Sequence, residues 1–581
     1  MYISRFVHCW ASSPEKYEET MGSNGLNKGS ILTKGTGPVV VCLLGILGLL
    51  VTAPALAQKI PPQKPKLIVG ITVSGMQYDY LSVYWDKFSD WGFRKMATSG
   101  ANCKNARYNY LITDPAVGFA SIATGSRPSE HGIVADYWYR RLTNEIVNSI
   151  EDQEQATIGG SYGTGTYSPW ALHSRTLSDE VRIKSRFNSR SIGVSMDPNA
   201  AVLLSGHTAT AAYWLDPQKA SWISSSYYLD SLPSWVDEFN SKNYRDLYLD
   251  RSWETLRPIA DYEESMLDNN PYETGINGQI TFPYDLARLS SDGQGGRDYS
   301  LLMTTPWGNT YTKDMAIAAI VNEELGMHEA TDIIHIGFNT SKYLANYYST
   351  WSVETQDTYL RLDEDLAHLL DFLDQHLGME NVLVYLTAEN ALAVDPNYLA
   401  ESRIPSGFFN YRTSISLLKS YLNAIYGRGE WVTFYYAQQI YLNHQLIEDS
   451  NLSLEDVQDK VARFMVQMNG VSNALQAYVL QQNYFTDGVL NRIQNSYYQK
   501  RSGDVILYLT PGWVEHSNVG GNFAEFRYSP HVPLIFYGWK INRVSIPYQV
   551  SPTDIAPSIA SLLEISMPDN ATGTVISDLV K

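Results

Sequence analysis

Cysteine is almost absent from this chain. Of three in 581 residues, Cys9 and Cys42 fall within the first 57, and only Cys103 lies beyond. The body of the chain therefore holds no internal disulfide and relies on its packed core. Positive charge is also scarce, with 43 Lys and Arg against 61 Asp and Glu. That balance argues against nucleic acid or anionic lipid as a partner. Internal repeats and low-complexity tracts are missing too. The apolar run at 38–53, PVVVCLLGILGLLVTA, is too short to read as a membrane span. It follows Lys28 and Lys34 and precedes Ala55-Leu56-Ala57, the pattern of a secretory signal cleaved after Ala57. The mature chain is thus expected to be periplasmic or otherwise exported, without a transmembrane span. It would keep 39 basic and 58 acidic residues, a net of −19.

The remaining composition is that of a globular protein, 44% hydrophobic and 18% charged. A Pro-rich stretch at 58–66, QKIPPQKPK, reads as a linker into a domain spanning 67–581. Short apolar runs at 67–73, 192–196, 332–338, 382–387, 505–509 and 533–537 have the character of buried parallel strands. Helical periodicity lies between them, as in 358–377, where Leu362, Leu366, Leu369, Leu370 and Leu373 share one face. This alternation predicts an α/β sandwich with a mostly parallel central sheet. Two stretches interrupt it, a loop-rich one at about 215–310 and one at about 396–500 containing a helix pair. Both are expected to be insertions that cap the sheet edge.

The segment 110–133, YLITDPAVGFASIATGSRPSEHGI, combines a loop, a helix start, a run of small residues, then Thr-Gly and His-Gly. With PKLIVGITVSGM, SGHTATAAYW, SVETQDTYLRLDEDL, YLTAEN, HVPLIFYGW and SPTDIAPSIASLLEISMP it covers nearly the whole mature chain. In these motifs the chain resembles the alkaline phosphatase superfamily, in its type I phosphodiesterase and irrepressible alkaline phosphatase branch. The resemblance implies a three-layer sandwich with cap insertions, a Thr or Ser nucleophile at a helix N-terminus, and two zinc ions flanking the phosphate.

Carried over position by position, the resemblance meets other residue types. Pro115 stands at the nucleophile position, with Thr113 as a possible substitute and with Thr113 or Asp114 as cap of the helix that Pro115 begins. The metal positions fall on Ser74, Lys342, Asn346, Glu389, Asn390 and His531. Of these only Glu389 and His531 are ordinary zinc ligands. The phosphate-contact positions fall on Asp136, Asp197 and Asn199, where carboxylates or an amide replace donors and cations. Lys342 and Glu389 are expected to pair in place of metal and ligand. His131, His207 and His516 read as structural.

These substitutions favour a catalytically dead member of the superfamily, without cofactor. Its expected role is that of a binding or scaffold protein for another envelope protein. Two alternatives stand beside it. One is an active phosphomonoesterase or phosphodiesterase with a rearranged site and Thr113 as nucleophile. The other is a glycan or headgroup binder using insertion tryptophans such as Trp214 or Trp222.

Overall fold

Seven buried residues, LIVGITV, make β1 (Leu67–Val73) the middle of a sheet with partners on both sides. It lies parallel to β7 (Asp332–Phe338), with Val73 opposite Phe338, and to β8 (Val382–Thr387), with Thr72 opposite Thr387. Gly70 is required there, since a Cβ would stand 2.3 Å from the Tyr385 hydroxyl and 2.8 Å from His335 Nδ1. The structure, a computed structural model, describes residues 62–293, 295–516 and 528–580. The expected signal segment at 1–57 lies outside the described residues. Residues 59–581 form a single compact unit. The described end of the expected linker is tied to it, with Trp539 Nε1 donating to Pro62 O (2.7 Å) and Lys66 N to Asn381 O (2.7 Å).

Seven further strands complete the sheet: β2 (Ala101–Cys103), β3 (Thr157–Ile158), β4 (Ser191–Ser195), β5 (Ala211–Asp216), β6 (Ser221–Ser225), β9 (Leu534–Gly538) and β10 (Val544–Ile546). The order across it is β10-β2-β9-β8-β1-β7-β4-β5-β6-β3. The run from β8 through β1, β7 and β4 to β5 is parallel throughout. The mostly parallel α/β sheet flanked by helices is therefore as the sequence predicts. Two strands depart from expectation. β9 runs antiparallel to both β8 and β2. The 505–509 run is not in this sheet at all.

Val505–Leu509 instead lies inside an antiparallel sheet of the second insertion, ordered Val432–Tyr436, Gln439–Leu442, Val505–Leu509, Val471–Gln476. A short run buried between two neighbours has the same apolar pattern in either sheet, so periodicity does not separate them. That insertion thus contains the expected helix pair and a small sheet beside it. Helices Tyr411–Tyr426 and Leu454–Met465 pack on its sheet around Leu418, Leu422, Val457, Val461 and Leu507. The first insertion starts later than expected, because β6 belongs to the central sheet. Trp214 and Trp222 lie on β5 and β6 with 1% and 0% exposure, so neither is available to a glycan. No helix of the described residues is long and apolar enough to cross a membrane.

Candidate functional site

Five elements converge at the carboxyl ends of the parallel strands, where an open α/β sheet exposes its loops. Helix α1 (Pro115–Thr124) begins with Pro115 at its first position and Asp114 as N-cap. Proline suits that place, having fixed φ and no N–H to satisfy. Gly118 brings α1 directly against the segment just past β8, since a Cβ there would lie 2.1 Å from the Glu389 carbonyl oxygen. The Asp114 side chain does not cap its own helix. Its Oδ2 accepts from Asp136 N (2.8 Å), while Asp136 Oδ1 accepts from Ala116 N (2.8 Å). The two carboxylates are thus laced around the helix N-terminus, and Asp136 meets one of its free N–H groups.

From β4, Asp197 begins helix α2 (Pro198–Ser205), its Oδ1 accepting from Asn199 N (2.9 Å). The other oxygen, Oδ2, meets Lys342 Nζ at 2.5 Å. Lys342 stands on the short helix α3 (Thr340–Leu344), just beyond β7. Burial works against its ammonium, but Asp197, then Tyr343 and Asp136, outweigh it and hold the charge. The expected Lys342–Glu389 pair is therefore not formed. Asp197 is the nearer carboxylate and takes the lysine.

Glu389, past the end of β8, is left fully buried with no hydrogen-bond partner for either carboxyl oxygen among the described residues. Burial pushes it up to about 8, against opposing pulls from its own N–H, Lys342 and Ser74. Asp114 is also raised, by burial and then by Asp136, with the Asp136 N–H and Lys342 opposing. Asp136 is raised by burial, which Lys342 partly offsets. Asn390 donates to Thr113 O (3.2 Å) and so holds the loop before α1. Ser74, at the end of β1, accepts from Asn339 Nδ2 (2.8 Å).

Asn339 escaped the sequence reading. Its Oδ1 accepts from Ser195 Oγ (2.6 Å) and Asp197 N (3.3 Å), joining the ends of β1, β4 and β7. Its signal was its place, a buried amide immediately after an apolar strand. Two expected positions stand apart. Asn346 lies beyond α3, where its carbonyl accepts from Thr274 Oγ1 (3.5 Å). His531 stacks on Tyr78 with ring centroids 4.5 Å apart, and its Nε2 meets Lys104 O at 3.0 Å.

Alongside this cluster, Thr113 and Asp114 line a chamber of about 400 Å³ between the 110–114 loop and the cap. The described donors do not fit the two-zinc set implied by the resemblance. An ammonium engaged by Asp197 stands at one ligand position, and two others carry amides. Among the described residues no three His, Cys, Asp or Glu side chains are grouped to hold a metal.

The model of the type I phosphodiesterase / nucleotide pyrophosphatase family matches residues 68–526. Alkaline phosphatase PafA of Elizabethkingia meningoseptica is 34% identical over 549 residues, 92% of this chain and 98% of that one. Alkaline phosphatase PhoV of Synechococcus elongatus is 32% identical, over 89% of this chain and 93% of that one. The crystal structure of wild-type PafA superposes with a TM-score of 0.84, covering 89% of this chain and 99% of that one. These relatives overturn the expectation of a dead binding or scaffold protein, and with it that of a chain that has lost its cofactor. Chains alike over nine-tenths of the length bear the names of enzymes. The chain belongs to the type I phosphodiesterase / nucleotide pyrophosphatase family.

Proposed function

We propose that this chain is an exported hydrolase of phosphate esters, acting on phosphomonoesters or phosphodiesters through a rearranged site with Thr113 as nucleophile. The observation that carries the reading is likeness to named alkaline phosphatases from end to end, with the same sheet beneath the site. Three features of the site support Thr113. It immediately precedes the N-cap of α1, it lines the chamber, and Asn390 holds its carbonyl. Export is supported by the signal-like segment that ends at Ala57.

In this reading Thr113 Oγ1 bonds to phosphorus as the P–O bond to the alcohol breaks. The hydroxyl proton is lost, and the departing alcohol oxygen takes up one. Glu389, raised by its burial and next in the chain to Asn390, which holds Thr113 O, is the carboxyl assigned to relay it. Water then cleaves the threonine–phosphorus ester and restores the hydroxyl, releasing phosphate from a monoester or the remaining phosphomonoester from a diester.

The test is steady-state hydrolysis of 4-nitrophenyl phosphate and bis-4-nitrophenyl phosphate by the mature chain, with zinc supplied. Turnover of either ester, reduced about 10³-fold or more by Thr113→Ala and largely kept by Thr113→Ser, is the expected result. Absence of turnover with both esters, or full activity in Thr113→Ala, contradicts the reading.

A further inference from the structure

We propose that the chamber beside Thr113 seats the alcohol portion of an aromatic phosphate ester, with Arg492 of the cap engaging its anionic end. The proposal rests on the hydrolase reading above and adds a substrate class to it. Three observations carry it.

The first is shape and lining. A cavity of about 400 Å³ falls in the range of small-molecule sites, which are mostly apolar with a few polar groups. Here the walls include Tyr110 and Ile112 from the site loop, and Tyr508 and Trp513 from the cap. Aromatic walls on two sides suit a flat apolar group better than glycerol or a sugar.

The second is charge. Arg492 lines the same chamber as Thr113, and among the described residues it makes no ion pair. An arginine with that freedom, beside a small-molecule cavity, suits a phosphate or phosphonate group through its forked donors. This matters because Lys342, the cation at the strand ends, is already held by Asp197. The cap supplies a cation where the core supplies acids.

The third is rigidity. Arg492 lies on α5 (Gly488–Ser496), which is fastened to the site loop. Leu111 N donates to Arg492 O (3.1 Å) and to Ser496 Oγ (2.8 Å), Ile112 N donates to Ser496 Oγ (3.1 Å), and Asn495 Nδ2 donates to Asn109 O (2.8 Å). Trp513 is fixed as well, because its ring lies against Gly470, where a Cβ would stand 2.2 Å from it. Pocket walls and nucleophile loop are thus held in one register, as a preformed site requires.

Titration calorimetry of the full mature chain with phenylphosphonate and methylphosphonate tests this, since neither probe is cleaved. Phenylphosphonate should bind at least 10-fold more tightly than methylphosphonate. Arg492→Ala should weaken both by about 10-fold or more, with Arg492→Lys intermediate. Trp513→Ala should erase the preference for the phenyl group. Tyr508→Ala should reduce it, and provides the answer if the tryptophan variant does not fold. Equal affinity for the two probes, or a preference untouched by both aromatic variants, overturns the proposal. The two readings fail separately. Tight phenylphosphonate binding without ester turnover sinks the hydrolase and keeps the chamber, whereas turnover without phenyl preference does the reverse.

Discussion

Two buried acids, Asp179 and Glu389, show how differently this fold treats a carboxyl. Asp179 is 1% exposed and has donors on both oxygens. Its Oδ2 accepts from Thr176 N (2.8 Å) and His207 Nδ1 (3.1 Å), and its Oδ1 from Thr208 N (2.8 Å) and Thr208 Oγ1 (2.8 Å). Burial raises it, but His207 and these donors prevail and bring it down to about 2. Glu389 is equally buried, has no donor in hydrogen-bonding geometry on either oxygen, and stands at about 8, its own N–H, Lys342 and Ser74 failing to offset burial. The first acid is part of the frame and joins SGHT to the capping box of the helix Leu177–Lys184. The second lies where strand ends and α1 meet. A buried ionisable group left unsatisfied at the strand ends is a mark of function rather than of stability.

Removing each acid sharpens that contrast. Asp179→Ala leaves the N–H groups of Thr176 and Thr208 buried without acceptors and should cost about 3 kcal/mol or more, read from urea unfolding. A cost below about 1 kcal/mol would break the assignment of Asp179 to the frame. The pH dependence tests the same point with a smaller effect. A carboxyl lowered from its ordinary 3.8 to about 2 contributes stability that is full above pH 3.8 and lost as pH falls through 2. The stability gap between the natural chain and Asp179→Asn should therefore shrink by about 2 kcal/mol from pH 5 to pH 2. A constant gap would mean that the donors do not favour the ionised form. The smallest change is expected at the other acid. Glu389→Gln replaces a mostly protonated, partnerless carboxyl by a neutral amide of similar shape, and should alter stability at pH 6 by less than about 1 kcal/mol. A loss of several kcal/mol would assign Glu389 to the frame as well.

Much of the frame was legible in the sequence because apolar runs and helical periodicity report burial directly. β1, β7 and β8 are where LIVGITV, DIIHIGF and VLVYLT place them. The 358–377 periodicity is the body of α4 (Val353–Leu377). The SVETQDTYLRLDEDL motif was readable as a landmark but not as a joint. Its Asp357 accepts from Trp253 Nε1 (2.7 Å), Leu256 N (2.7 Å), Tyr262 OH (2.6 Å) and Arg361 Nε (2.7 Å), and so fastens the first insertion to α4. Trp253, Leu256 and Tyr262 lie about a hundred residues away, beyond the reach of local pattern.

The site was legible as a set of positions rather than as a set of contacts. Ser74, Pro115, Asp136, Asp197, Lys342, Glu389 and Asn390 all stand at the strand ends. Which carboxylate takes Lys342 depended on side-chain reach across the sheet, and Asp197 rather than Glu389 answers it. Inferring lost function from substitutions treats each position as independent. Relatives named as enzymes, alike across nine-tenths of the chain, contradict that inference.

The most direct test of the account is to quench the mature chain during turnover of 4-nitrophenyl phosphate in acid and map phosphorylation by mass spectrometry. A phosphoryl group on the Thr113 peptide, absent from Thr113→Ala, is the result the account predicts. An unmodified Thr113, or a phosphoryl group on another residue, would contradict it.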